Sequence, residues 1–394
     1  MRRSRQLHAV TSILLMKKVL ITGSQGLLGY HAKSLFFAEN CARKYSGNKA
    51  KWEIVESPRL NTENYEEWKN IAKSADLILH FAGINRSDDQ ELEFGNARIT
   101  EILVNVLEES SSKAHVMYAN STHSETDTPY GRGKFAAHIL LDGWASRGSG
   151  TYTNFVVPHI FGEGARPFYN NVTGTLCHQV INAEPPTIHA GAKVELLHAG
   201  LVVESMLTSF HTCLTGTQRL HGTPLTVQEL YDIISDFHSG YSSNMYPELH
   251  NDFIVALYNT YRYFAYPNCF PIALEMHNDV RGSLFEAVKG GGGGQTFLSW
   301  TQPGAERGNH FHRYKVERFL VLSGKAEIKV RSIFEDKIDR YNVTGESPAY
   351  IDMPTLHTHS IVNTGSVPLL TLFWAHEIFD PSNPDTYAIP VDVK

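Results

Sequence analysis

Two histidine pairs in the last third of the chain, His310-Phe311-His312 and His357-Thr358-His359, carry a spacing with chemical consequence. In a strand the side-chain period is two, so each pair points to one face. Glu317 can return to that face from the next segment. His310, His312, Glu317 and His359 then form a mixed nitrogen and oxygen set suited to a divalent metal, with zinc expected and manganese, iron or nickel also compatible. A single histidine is ordinarily structural; it is the constellation that points to a metal. His357 stays open between base, ligand and surface residue.

A second set of residues lies near the N-terminus. The apolar run Val19–Ile21 leads into Thr22-Gly23-Ser24-Gln25-Gly26-Leu27-Leu28-Gly29 and then into a helical pattern. Gly23, Gly26 and Gly29 permit a tight turn and close backbone approach, while a helix N-terminus offers free N–H groups to a pyrophosphate. The strand–turn–helix context is what turns a weak glycine motif into a dinucleotide site. At the end of the second strand, an acid would hold a ribose diol and a cation a 2′-phosphate. Glu56 and Arg59 both lie there, and Arg59 tilts the expectation from NADH to NADPH. Further along, Tyr130 and Lys134 stand four apart, which on a helix places them on one face. A phenol of pKa about 10 is a poor acid at neutral pH, and an adjacent ammonium lowers it. Tyr130 is therefore expected to protonate a carbonyl oxygen, with Lys134 also on the cofactor ribose and Ser121 (Thr122 in reserve) as hydrogen-bond donor to the substrate. Arg166 and Asn170 follow at the expected C-terminal edge of the sheet, where substrates bind in open α/β folds. There Arg166 can pair with a diphosphate.

The elements that must position these groups change character along the chain. Of 394 residues, 42% are hydrophobic and 19% charged, enough for buried cores and against wholesale disorder. That length favours two domains. From Lys17 to about Gly164, apolar strands alternate with helices, the pattern of a parallel α/β sheet. After about Tyr266, short strands separated by turns dominate and indicate a sandwich or barrel. The expected fold is a Rossmann-type doubly wound parallel sheet over residues 17–262, followed by an all-β barrel over 263–394. The run Gly290–Gly294 is read as a hairpin turn between strands Arg281–Val288 and Gln295–Thr301, not as a linker. A net charge of −6 argues against a nucleic-acid partner. No apolar run reaches the ~18 residues of a membrane span, and the four cysteines are scattered singly, which suits a reducing cytoplasm. Residues 1–16 carry three arginines and a short apolar stretch without a cleavage site, and read as an extension before Met16, not as a signal peptide.

Both halves resemble known families. The GxxGxxG turn with Tyr130 and Lys134 is similar to the short-chain dehydrogenase/reductase fingerprint. In the extended branch of that family, a loop like His80–Arg86 borders the adenine and ribose, which implies cofactor contacts at Ala82 and Gly83. Gly304 through Gly324 matches the first cupin motif position for position; the second half keeps Pro354, His359 and Asn363 but lacks both glycines of its motif. With Asp279–Glu286, Arg166–Asn171 and the tail Phe379–Tyr387, the chain resembles the bifunctional reductase–epimerase of bacterial capsular polysaccharide synthesis. The resemblance implies a UDP-linked 2-acetamido-2,6-dideoxy-4-hexulose as substrate, with Arg86 among its contacts. It further implies C3 epimerisation in the cupin, C4 reduction with NADPH in the first domain, UDP-N-acetyl-L-fucosamine as the goal, and a homo-oligomer, dimer or tetramer. The sequence departs from the family over Val194–Val203, where relatives carry a polar run. Two alternatives follow: a nucleotide-sugar-binding protein with a relic reductase fold, and a metal cupin oxygenase fused to a reductase.

Overall fold

The computed structural model describes residues 16–61, 63–148, 150–280, 282–290 and 292–393, so the expectation for the N-terminal extension lies outside the described residues apart from Met16. The first half alternates strand and helix: β1 (Lys17–Thr22), α1 (Leu27–Tyr45), β2 (Trp52–Glu56), α2 (Tyr65–Ser74), β3 (Leu77–His80), α3 (Asp89–Glu109), β4 (His115–Ser121), α4 (Pro129–Ser146) and β5 (Thr151–Val157). There follow β6 (His159–Phe161), α5 (Val172–Ile181), β7 (Lys193–His198), α6 (Ala199–His211), β8 (Gly216–Arg219), β9 (Thr223–Thr226), α7 (Val227–Ser242) and α8 (Asp252–Ala265).

Six strands form one parallel sheet in the order β2-β1-β3-β4-β5-β8. The period of two explains its two cores. Val19 and Ile21 face Leu35 and Phe36 of α1 and Val202 and Met206 of α6. Leu20 faces the opposite layer, with Trp68 of α2, Leu103 of α3 and Leu141 of α4. Helices on both faces make the sheet doubly wound. Strand order reverses between β1 and β3, and a crevice outside the strand ends at such a switch point is where these folds take ligands. Gly23–Gly29 follows β1 at that place.

The C-terminal half folds into two five-stranded antiparallel sheets that make up the cupin barrel. One contains Glu317–Ser323, flanked by Ala349–Met353 and Leu369–Ala375, with Gln295–Thr301 at its edge. The other places His357–Asn363 between Lys325–Ser332 and Glu306–Phe311. The glycine run differs from expectation. Only Gly282–Leu284 is a strand in the preceding segment, and it pairs with His277–Asp279. Lys289–Gly290 pairs instead with Met245–Tyr246, and Gln295–Thr301 with Leu369–Ala375. The glycines thus connect two sheets. A Cβ at Gly290 would approach Tyr246 Cβ to 3.0 Å, so the close pairing with Tyr246 favours glycine there. Among the described residues no helix is long and apolar enough to cross a membrane.

Helix α8 joins the halves: Leu257, Tyr258 and Tyr261 share one continuous core with Phe319, Leu320 and Tyr350 of the barrel. Beside it, Arg318 donates through Nε and Nη2 to both oxygens of Asp352, at 2.7 and 3.1 Å. The guanidinium lies 3.3 Å from the Tyr350 ring centre and 4.4 Å from that of Tyr246, whose hydroxyl donates to Asp352 at 2.7 Å. Removing one partner of a buried pair leaves an uncompensated charge. Asp352→Asn is therefore expected to lower folding stability by about 3–5 kcal/mol. Urea unfolding checks this, and an unchanged midpoint would show the pair to be dispensable.

Candidate functional site

The α/β half positions its candidate residues around the turn after β1. Gly26 N–H donates to Gly23 O at 2.9 Å, closing the turn. Gly23 has φ +65°, and a Cβ there would lie 2.9 Å from Ala82 N; at Gly29 it would lie 2.4 Å from Gly23 O. These absent side chains leave the cradle that a pyrophosphate requires. Thr22 braces it: its hydroxyl accepts from Phe81 N–H and Ala82 N–H at 3.0 and 2.9 Å and meets His80 Nδ1 at 2.9 Å. The glycine turn and the Ala82–Gly83 loop are thereby one rigid unit. Arg59 is exposed, while Glu56 is engaged by Lys33 Nζ at 3.1 Å and Gln25 Nε2 at 3.0 Å. Lys33, a cation at the ribose end of the crevice, was not anticipated; only its place one turn beyond Gly29 could have signalled it.

Ser121 ends β4 and caps the short helical turn after it, accepting from His123 N–H at 3.2 Å. Tyr130 and Lys134 lie in the first turns of α4, which begins at Pro129 behind the Thr128 cap. The expected effect of Lys134 on Tyr130 is corrected by the structure. Lys134 Nζ donates to Ala119 O at 2.7 Å and sits 4.1 Å over the Tyr118 ring. Burial pushes the Lys134 ammonium down to about 7. Burial likewise raises the Tyr130 phenol, partly offset by a hydrogen bond with Ser121. The phenol stays protonated at neutral pH because it is desolvated, and Lys134 is not among the groups that shift it.

The remaining candidates gather on one wall. Arg86 Nη1 donates to Phe168 O, Asn170 Nδ2 donates to Asn85 O, and Arg166 Nη2 reaches Gln25 O at 3.4 Å. The 166–170 loop is thus held against the 82–86 loop and the glycine turn.

In the barrel, the donor atoms of His310, His312, Glu317 and His359 all lie within 4.8 Å of one another. Glu317 Oε2 stands 3.2 Å from His312 Nε2 and 3.3 Å from His359 Nε2. Backbone carbonyls orient the rings: His312 Nδ1 donates to Asp385 O at 2.6 Å and His359 Nδ1 to His357 O at 3.2 Å. This fixes the tautomer and turns the Nε2 lone pairs inward, as metal-bound imidazoles require. His359 Nε2 is buried without a hydrogen-bond partner, and the four donors match a zinc-type set. The residues fit a divalent metal. Burial, with His359 and His312 beside it, lowers His310 to about 3, so the ring is neutral. Burial alone would raise the Glu317 carboxyl, but the His312 and His359 rings that face its Oε2 hold it well below its ordinary value. A cavity of about 540 Å³ opens onto His310 and Glu317, walled by Phe297, Phe373, Trp300 and Arg307.

His357 is not one of the converging groups. It is buried, donates from Nδ1 to Thr355 O at 2.8 Å, and packs under Tyr266 with ring centres 4.9 Å apart. Burial lowers it to about 4. Asp385 had no assigned role, yet its carboxylate accepts from the N–H groups of Arg313, Tyr314 and Lys315 at 2.8–3.0 Å, shaping the loop after His312. The nearest signal was its place in the tail Phe379–Tyr387.

A second cluster, His31, Glu163 and His198, is wholly buried. His31 Nε2 lies 3.0 Å from Glu163 O, and a carbonyl only accepts, so that nitrogen carries a proton. His198 Nε2 lies 2.9 Å from Glu163 Oε2, and Thr355 Oγ1 donates to Oε1 at 2.6 Å. Burial would raise Glu163, but His198, His31 and Thr355 together draw it down to about 2. Both Glu163 oxygens are hydrogen-bonded and His31 Nε2 is committed to Glu163 O, while His198 Nδ1 is buried without a hydrogen-bond partner.

Comparison with known proteins agrees with this architecture. Residues 19–218 match the NAD dependent epimerase/dehydratase family and residues 277–387 the polysaccharide biosynthesis C-terminal domain. A UDP-2-acetamido-2,6-beta-L-arabino-hexul-4-ose reductase of Pseudomonas aeruginosa is 30% identical over 381 residues, covering 95% of this chain and 99% of that protein. The spore coat polysaccharide biosynthesis protein SpsL of Bacillus subtilis is 25% identical over 129 residues, 30% of this chain and 85% of SpsL. The crystal structure of the capsular polysaccharide assembling protein CapF from Staphylococcus aureus aligns with a TM-score of 0.58 at 29% identity, covering 95% of this chain and all of that one. The chain therefore belongs to the NAD dependent epimerase/dehydratase family and carries a polysaccharide biosynthesis C-terminal domain behind its α/β half.

Proposed function

We propose that the chain is a bifunctional nucleotide-sugar enzyme. The barrel epimerises C3 of a UDP-linked 2-acetamido-2,6-dideoxy-4-hexulose, and the α/β half reduces the C4 ketone with NADPH, toward UDP-N-acetyl-L-fucosamine for capsular polysaccharide. The observation that carries this reading is the presence, in one chain, of a glycine cradle with Ser121, Tyr130 and Lys134 beside it and a separate His/His/Glu/His centre facing a cavity lined by Phe297, Phe373 and Arg307. The full-length similarity to a reductase of such a sugar supports it.

In the α/β half, Gly23, Gly26, Gly29, Ala82 and Gly83 would hold NADPH, which supplies the hydride. Ser121 Oγ donates to the C4 oxygen. Tyr130, kept protonated by burial, delivers the proton that the reduced oxygen needs. The Lys134 ammonium adds positive charge beneath them, and Arg86, Arg166 and Asn170 hold the diphosphate and sugar. In the barrel, His310, His312, Glu317 and His359 would hold a divalent metal, zinc by its donor set, whose charge favours the enolate of the 4-keto sugar. The 4-keto group acidifies the C3 hydrogen, so C3 can exchange its proton with solvent in the open cavity that Phe297 and Phe373 line.

Incubation with the 4-keto UDP-sugar in D2O is expected to place deuterium at C3 without NADPH, and to consume NADPH when it is added, followed by product NMR. Tyr130→Phe should lower reduction at least 100-fold and leave C3 exchange intact; unchanged NADPH consumption in that variant would overturn the reductase assignment. The pH dependence follows from Lys134, whose proton leaves as pH rises through about 7. The protonated form is the competent one. kcat/KM for reduction should thus be flat below that pH and fall about tenfold per unit above it. In Lys134→Met the limb should vanish; its persistence would assign it to another group.

A further inference from the structure

Glu163 lies in the turn after β6, three residues before Arg166, and is 1% exposed. Its backbone and carboxylate engage His31 of α1 and His198 at the start of α6. Its remaining oxygen accepts from Thr355, which belongs to the barrel. Thr355 occupies the turn Pro354–Leu356 between strands Ala349–Met353 and His357–Asn363. From there a hydrogen-bond chain continues. Thr355 O accepts from His357 Nδ1 at 2.8 Å, His357 O accepts from His359 Nδ1 at 3.2 Å, and His359 Nε2 faces Glu317. A branch reaches the other histidine segment, because Leu356 N–H donates to His312 O at 2.8 Å.

The turn that relays these contacts is strained. Leu356 has φ +60°, a left-handed backbone that residues other than glycine rarely adopt. Such a conformation persists only where its surroundings over-determine it. Leu356 is buried against Phe311 and Ile333 of the barrel and Ala38 of α1. Next to it, Glu204 of α6 pairs with Arg313 at 2.9 Å and accepts from the Tyr314 hydroxyl. The α/β half therefore grips both segments that carry the histidines.

We propose that Glu163, acting through the Thr355 hydroxyl, is a positioning residue for the metal centre of the other domain. It holds the strained 354–356 turn so that His359 and His312 present Nε2 at ligating distance. This rests on the reading that the four barrel residues bind a metal. The carboxylate touches no ligand ring itself; it supplies the acceptor without which the buried Thr355 hydroxyl and the turn would relax.

The test is metal affinity of the full chain, read by competition with a chromogenic chelator, and the visible spectrum of the cobalt(II) form. Thr355→Val removes the hydroxyl at nearly constant volume. Loss of an outer-shell partner ordinarily costs about 10–100-fold in metal affinity, and a tenfold weaker Kd with an altered cobalt spectrum is expected. Thr355→Ser should restore both to wild-type values, which a merely space-filling role would not require. Glu163→Gln keeps the shape but leaves one acceptor oxygen where His198 and Thr355 each need one, and it should weaken binding in the same direction. Wild-type Kd and spectrum in both Thr355→Val and Glu163→Gln would overturn the proposal. If Thr355→Val fails to fold, Glu163→Gln carries the same two outcomes alone. A wild-type chain that binds neither zinc nor cobalt would instead overturn the metal reading, and the positioning role with it.

Discussion

Arg262 of α8 is a guanidinium 1% exposed, and a charge taken that far from water must find acceptors. It finds Asn259 Oδ1 one turn earlier, at 2.9 Å, and Met353 O at the end of a barrel strand. Asn259 belongs to the same helix, so it is the bond to Met353 O that ties α8 to the barrel. Tyr258 and Tyr261 then close the seam on either side, and Asn259 Nδ2 donates to Tyr314 O at 2.7 Å. Met353 is the last residue before the 354–356 turn, and Tyr314 follows His312 by two. The helix that ends the α/β half thus pins the approaches to both histidine segments. Burying one long cation costs much and is tolerated because it sets the relative placement of two sites.

Each site uses burial for a different electrostatic end. Around Tyr130 and Lys134, desolvation favours neutral forms and holds a phenol as a proton donor. Around His310, desolvation keeps an imidazole neutral, the form a metal needs, while Glu317 keeps its charge because His312 and His359 face it. A motif reading treats the neighbouring lysine as the agent that tunes the tyrosine. In the folded chain Lys134 is committed to Ala119 O and the Tyr118 face, and depth below the surface outweighs proximity along the helix.

Much of this was legible because it is periodic or local. The alternation Val19-Leu20-Ile21 reads directly as two cores, the glycine turn follows its strand within a few residues, and His310-X-His312 lies at the end of strand Glu306–Phe311, with His312 just past it. What escaped is long-range. Glu163 meets residues 132, 35 and 192 positions away, and no spacing rule announces such a meeting. Lys289–Gly290 pairs with Met245–Tyr246 across the domain junction, so a pattern resembling a hairpin belonged to two sheets. His357 shares parity with His359 but sits where α8 covers the strand, and Tyr266 claims its ring.

The segment that departs from related enzymes also changes meaning in three dimensions. Val194–Val203 reads as a lost polar loop, yet it forms most of β7 and the first turns of α6. β7 pairs with β6 and β9, and Val194, Leu196 and Val202 are buried, so apolar residues suit these positions. Of the two polar side chains in this stretch, Glu195 and His198, it is His198 that faces Glu163. The residue just after the stretch, Glu204, holds Arg313. A charged carboxylate sealed between two domains needs a donor on each side of it. His198 provides the donor from the α/β side and Thr355 the donor from the barrel. The departure therefore leaves the glycine turn and Tyr130 untouched, and it falls on the structure that ties the α/β half to the barrel.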